Sequence, residues 1–253
     1  MTNHLSVSQV KKYTTNPSSR AWAYLLWIWD NFTKDAMIVW NAFHTFIETQ
    51  SLKEGANYIK EHWEDIEDYE SAVDKLSILV ENYLDTPTPK AEQHEVPFDK
   101  DIWYWINFQG FVDWIVGDTI LEYKSTSKIS HKDDKPMQRQ AHNNIEEYEF
   151  QIWVYMRATW LKKAKLIEVL NKDATIKRAG SLKKADIISL CKDFDKDDSK
   201  LTIQEIITKY QPKREFSQVI DYTRTDERDK EMDKKWGNII REMKSLYKKY
   251  KKE

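Results

Sequence analysis

The segment Thr86-Pro87-Thr88-Pro89 divides this chain into two kinds of sequence. Proline lacks the backbone donor a helix needs and pushes the residue before it into extended geometry, so no regular helix continues through this stretch. Ahead of it, apolar residues recur at three-to-four spacing and predict helices over 6–13, 20–31, 34–50, 52–62 and 66–84. Beyond it the period falls toward two, which predicts strands over 92–98, 103–116 and 119–126. A polar stretch over 127–144 leads into a helix over 145–163, apolar on almost every side and therefore expected to be buried. Strands over 166–170 and 174–178, a further strand near 216–220 and a terminal helix over 225–250 complete the pattern. Helices, then a hairpin, then helix and strand make an α/β chain.

At 253 residues and 40% hydrophobic, the chain can bury one substantial core, and one domain over 1–253 is expected. Within it, 1–90 reads as a mainly helical part, 91–180 as the core that carries the chemistry, and 181–253 as a mainly helical ending. Trp 11, Tyr 13 and Phe 9 against Gly 5 describe large packing residues and few flexible turns. With Cys191 as its single cysteine, the chain forms no internal disulfide and offers no four-cysteine cluster, as a reducing compartment favours. No targeting signal opens the sequence and the longest apolar run, residues 21–29, is too short to span a bilayer. A soluble, cytoplasmic protein with no membrane partner is expected.

The formal net charge of −2 excludes the basic body of a sequence-independent nucleic-acid coat protein, so any such contact must be local. Basic residues gather in 128–142 and in the last twenty positions, the latter reading as a solvated helix end. Asp193-Phe194-Asp195-Lys196-Asp197-Asp198 has the acids of a calcium loop but not its spacing, because Asp198 replaces the required glycine and Gln204 stands where the bidentate acid belongs. The five glycines are too scattered for a phosphate-cradling loop, so no ATP motor is expected.

Gly117-Asp118 is the natural turn of the central hairpin. Paired positions then sum to a constant: Val116 faces Thr119, Ile115 faces Ile120, Trp114 faces Leu121, and Asp113 faces Glu122. Opposed like charges destabilise a sheet unless something compensates them. Alternation puts Lys124 on the face of Glu122, with Leu121 and Tyr123 on the other face beside Val112 and Trp114. Two converging carboxylates with a lysine form a hard-oxygen site suited to Mg²⁺ or Mn²⁺.

Asp113 followed by Glu122-Tyr123-Lys124 across a hairpin resembles the PD-(D/E)XK nuclease signature. Further segments narrow the resemblance to the RecB-type branch, which includes small phage exonucleases and a CRISPR-associated nuclease. Leu5-Ser6 with Ser8, Tyr13 and Pro17 is similar to its opening segment, and Phe43-His44 with Ile47-Glu48 to its metal-binding histidine helix. Glu95 and Phe98 precede Gly110-Phe111-Val112-Asp113 as in the branch's strand pair, and Gln151 with Tyr155 resembles its Q-x-x-x-Y helix. The chain departs from the pattern at Trp40 and Asn41, which replace a small residue, and at Val112, which replaces the signature proline.

The resemblance implies a restriction-endonuclease-like fold: a central mixed sheet flanked by helices, with a helical N-terminal region and a long C-terminal helix. It implies that Asp113, Glu122 and Lys124 are catalytic, and that His44, Asp113, Glu122 and the carbonyl of Tyr123 hold one or two Mg²⁺ or Mn²⁺ ions. Gln151 and Tyr155 would contact or position the substrate, and Lys128 and Arg139 would bind its phosphates, with Lys132 and Lys135 in the same stretch. No iron-sulfur cluster is expected, since Asn16 stands where the first cluster cysteine of some relatives lies. The implied activity is hydrolysis of DNA, foremost by an exonuclease that processes ends in recombination or repair. The alternatives are a defence or CRISPR-adaptation nuclease and a non-catalytic DNA-binding protein on the same fold. Expected partners are DNA and either further copies of the chain or a separate recombination protein.

Overall fold

The computed structural model describes residues 4–5, 10, 35–85, 92–103, 106–126, 139–213 and 217–250, with some side chains among these excepted. Its elements in chain order are β1 (His4–Leu5), α1 (Asp35–Thr49), α2 (Leu52–Glu61), α3 (Tyr69–Leu84), β2 (Gln93–Trp103), β3 (Ile106–Val116), β4 (Thr119–Thr126), α4 (Arg139–Thr159), β5 (Lys163–Leu170), α5 (Lys184–Ser189), α6 (Ile203–Tyr210), β6 (Ser217–Thr223) and α7 (Asp226–Tyr250). The strands form one six-stranded mixed sheet in the order β1-β3-β4-β5-β6, with β2 on the free edge of β3. This is the expected α/β architecture, a mixed sheet with helices on its faces, a helical region before it and a long helix after it. Among the described residues no helix is long and apolar enough to cross a membrane.

The helices before the sheet start where the sequence provides caps. Ser51 accepts from the Glu54 backbone N–H at the head of α2, and Asp68 accepts from that of Ser71 at the head of α3. With α1 they pack on one face of the sheet in a core that joins Phe43, Phe46, Leu76 and Tyr83 to Trp114, Leu121, Tyr123 and Ile167. On the other face α4 and α7 bury Phe150, Trp153, Met232 and Trp236 against Ile115, Ile120, Ala164 and Leu166. A third, smaller core of Ile176, Ile187, Ile206 and Ile207 belongs to the stretch between β5 and β6.

Several expectations need correction. The helix expected over 145–163 runs Arg139–Thr159 instead. It stops because Trp160 takes a left-handed φ of 64°, and β5 then begins three residues earlier than expected. Residues 174–178 form no strand, only a single bridge from Thr175 to Lys213 that closes the insert. The acidic run near Asp195 is a short 3-10 helix, and Asp198 is engaged by Lys209 and Tyr210. The segment 6–34, which carries Ser6, Ser8, Tyr13, Asn16 and Pro17, lies outside the described residues except for Val10.

Candidate active site

The hairpin turn forms where expected: Gly117 takes the positive φ of 55° that suits the first residue of a two-residue turn, and its N–H donates to Glu92. Trp114 pairs with Leu121, Ile115 with Ile120 and Val116 with Thr119. The ladder ends there, so Asp113 and Glu122 lie one step beyond the last paired positions. From that point β4 follows β5 along its whole length while β3 continues with β2, and β1 joins β3 only at Asn107 and Phe108. Among the described residues, 109–113 therefore have no strand partner on the β4 side of β3, and Asp113 sits in the crotch of a fork.

A second irregularity meets the same residue. Glu95 has a left-handed φ of 43°, and the Glu95–Asp113 pair is missing from a ladder that records His94 with Trp114 and Val96 with Val112. Val112 and Trp114 were expected on one face, but the break sends Val112 into the core under α4 and Trp114 into the core under α1–α3. Asp113 is thus held between two cores by fully buried neighbours on both sides.

Glu122 has 0% exposure. Its Oε1 accepts from Gln151 Nε2 at 2.7 Å and from the Lys124 ammonium, while Oε2 has no hydrogen-bond partner. Gln151 Nε2 also donates to the Tyr155 hydroxyl at 2.8 Å, so the two residues one turn apart on α4 act as a single unit against Glu122. Burial, and next the charges of Glu122 and Asp113, push the Tyr155 hydroxyl well above its usual range and keep it protonated. Burial and then the Glu122 charge raise the Asp113 carboxyl well above the carboxylate range, with Glu95 adding to the repulsion. Burial pulls the Lys124 ammonium down, but Glu122 and Asp113 outweigh it and leave the group raised and charged. Lys124 also stands 5.6 Å from the Tyr148 ring.

His44 reaches this region from α1, its ring between those of Trp40 at 4.6 Å and Trp114 at 4.7 Å. Burial, and then the Lys124 charge, lower its pKa to about 3, so the imidazole is neutral and its buried Nε2 has no hydrogen-bond partner. Tyr123 is buried on the α1–α3 side, its ring 4.8 Å from that of Trp114. Lys128 lies outside the described residues, as do Lys132, Lys135 and the side chain of Arg139.

The donor types fit a hard divalent cation: one neutral imidazole, two carboxylates and a backbone carbonyl. Two donor atoms, Glu122 Oε2 and His44 Nε2, are buried and bare. Yet no three His, Cys, Asp or Glu side chains among the described residues are gathered into a ready-made metal cage, and it is Lys124 that balances Glu122. Glu48, one turn after His44, belongs to the same acidic region: burial first and Glu95 second raise its pKa.

No family model and no curated protein matches the chain. Among solved structures it is similar to a phage-related exonuclease from Haemophilus somnus 129PT, at 12% identity and a TM-score of 0.40, over 96% of this chain and 82% of that one.

Proposed function

We propose that this chain is a metal-dependent deoxyribonuclease of the RecB-type PD-(D/E)XK branch, foremost an exonuclease acting on DNA ends. The observation that carries the reading is the wholly buried Glu122, bonded on one oxygen and bare on the other, beside an Asp113 forced into its field. A fold gains no stability from burying Asp113 against Glu122 beside His44, since Lys124 reaches only one oxygen of Glu122 and leaves Glu122 Oε2 and His44 Nε2 without partners.

His44, Asp113, Glu122 and the Tyr123 carbonyl would hold Mg²⁺ or Mn²⁺, which supplies Lewis-acid polarisation of the phosphate and a lowered pKa for water. Gln151 fixes the orientation of Glu122 by its 2.7 Å hydrogen bond, and Tyr155 fixes Gln151 in turn. Lys124, charged and partly accessible, holds a water by hydrogen bonding for in-line attack on the phosphodiester.

The test is digestion of end-labelled linear duplex and closed circular DNA with Mg²⁺, Mn²⁺ or EDTA, by the unaltered protein and by Lys124→Ala. Cation-dependent loss of the linear duplex alone, reduced at least a hundredfold by the substitution on the order expected for a lost general catalyst, is the expected result. Cleavage of circles would make the enzyme an endonuclease. Absence of lysine-dependent cleavage on every substrate would overturn the nuclease reading.

A further inference from the structure

Glu168 is 6% exposed and has no role in the site described above. On β5 it is the registered neighbour of Lys124, in a parallel ladder where Glu122 neighbours Leu166. Registered partners share a face, and Ala164 and Leu166 put that face under α4, where Glu122 and Lys124 also lie. Among the described residues Glu168 meets no hydrogen-bond donor and no cation. Burial alone raises its pKa, and its charge is felt by Tyr222, whose hydroxyl is pushed up to about 12 by burial first and Glu168 second. A carboxylate held mostly out of water, with no bonded partner among the described residues, gains from any cation brought to it.

Lys124 explains it. The ammonium now rests on Glu122, one of the groups that would hold the divalent ion, and two cations on one buried carboxylate repel strongly. Neighbouring strands stand about 4.8 Å apart, a gap that a four-carbon lysine stem bridges.

We propose that Glu168 is a positioning residue: it receives the Lys124 ammonium when a divalent cation takes Glu122, and so fixes where that ammonium holds water. The inference rests on the metal-dependent reading. Glu168 does not touch the cation in this scheme. It lowers the cost of admitting it by giving the displaced charge a partner.

Calorimetric titration of the DNA-free protein with Mn²⁺ tests it, using the unaltered chain, Glu168→Gln, Lys124→Met and the double variant. Glu168→Gln should weaken Mn²⁺ binding about tenfold or more, as loss of a supporting group around a metal site does. The same substitution in the Lys124→Met background should cost nothing further. Glu168→Asp should recover part of the loss, and a crystal grown with Mn²⁺ should place Lys124 Nζ on Glu168. Unchanged affinity in Glu168→Gln, an equal loss in both backgrounds, or Lys124 still on Glu122 beside bound Mn²⁺ would each overturn the proposal and leave the nuclease reading standing. No Mn²⁺ binding and no cleavage by the unaltered chain would remove both together.

Discussion

Glu122 has no solvent contact, and Gln151 and Lys124 both bond to only one of its oxygens. Asp113 beside it is destabilised by burial and by the Glu122 charge. Replacing Asp113 with Asn removes the repulsion, so without a divalent cation the variant should be the more stable protein. A gain on the order of 1 kcal/mol would appear as a Tm roughly 2–4 °C higher in EDTA for a chain of this size. Added Mn²⁺ should stabilise the unaltered chain and not the variant. Thermal unfolding with and without the cation measures both effects. The residues of this site were legible because the turn at Gly117-Asp118 fixes the register that follows. The fork was not, because neither the end of a ladder nor the left-handed Glu95 leaves a trace in hydrophobic alternation. Glu168 went unnoticed for a related reason: its meaning comes from a strand far away in the chain.

At the scale of elements, α7 is tied to α4 by polar contacts. Asp229 accepts from Trp153 Nε1 at 2.9 Å and from the Arg224 guanidinium, while Arg157 bonds Asp233. Burial pushes the Asp229 carboxyl up, but the Arg224 and Trp153 hydrogen bonds outweigh it, and its pKa is lowered. A carboxyl depressed on folding adds stability above its unfolded value of about 4, and that stability is lost as pH falls through the folded value. Asp229→Asn should therefore cost about 1–3 kcal/mol near pH 7, with the difference from the unaltered chain closing below about pH 4 in urea titrations. The contact between α1 and α2 depends on Gly55, where an added Cβ would stand 2.8 Å from the Ala42 carbonyl oxygen. Gly55→Val should destabilise by about 1–3 kcal/mol, since backbone rather than a pliable side chain must yield. The start of β5 was misplaced because Ala164 continues the apolar run of α4, and the left-handed Trp160 that separates them is not a glycine. The helices ahead of the sheet were placed within a few residues because their apolar spacing and their caps agree.

At the scale of the molecule, the described residues gather into two cores on opposite faces of one sheet and a third within the insert between β5 and β6. The insert is fastened to the end of α3: Asp85 pairs with Lys192 and Lys213, and Asn82 donates to the carbonyls of Leu170 and Lys172. Asp85→Ala should raise amide hydrogen exchange over 176–210 severalfold while leaving β4 as protected as before. Uniform loss of protection would mean instead that the insert and the sheet unfold as one unit.

Val169 and Ser217 stand side by side across the β5–β6 ladder although the whole insert separates them in the chain. Closing so long a loop costs entropy that grows with its length. An insert that gathers around its four buried isoleucines first, latched by the Thr175–Lys213 bridge, would deliver the two strands already adjacent. An insert that folded first would thereby shorten the search for the sheet's outer edge, and the rate at which β6 docks would then depend on a part of the chain that never enters the sheet.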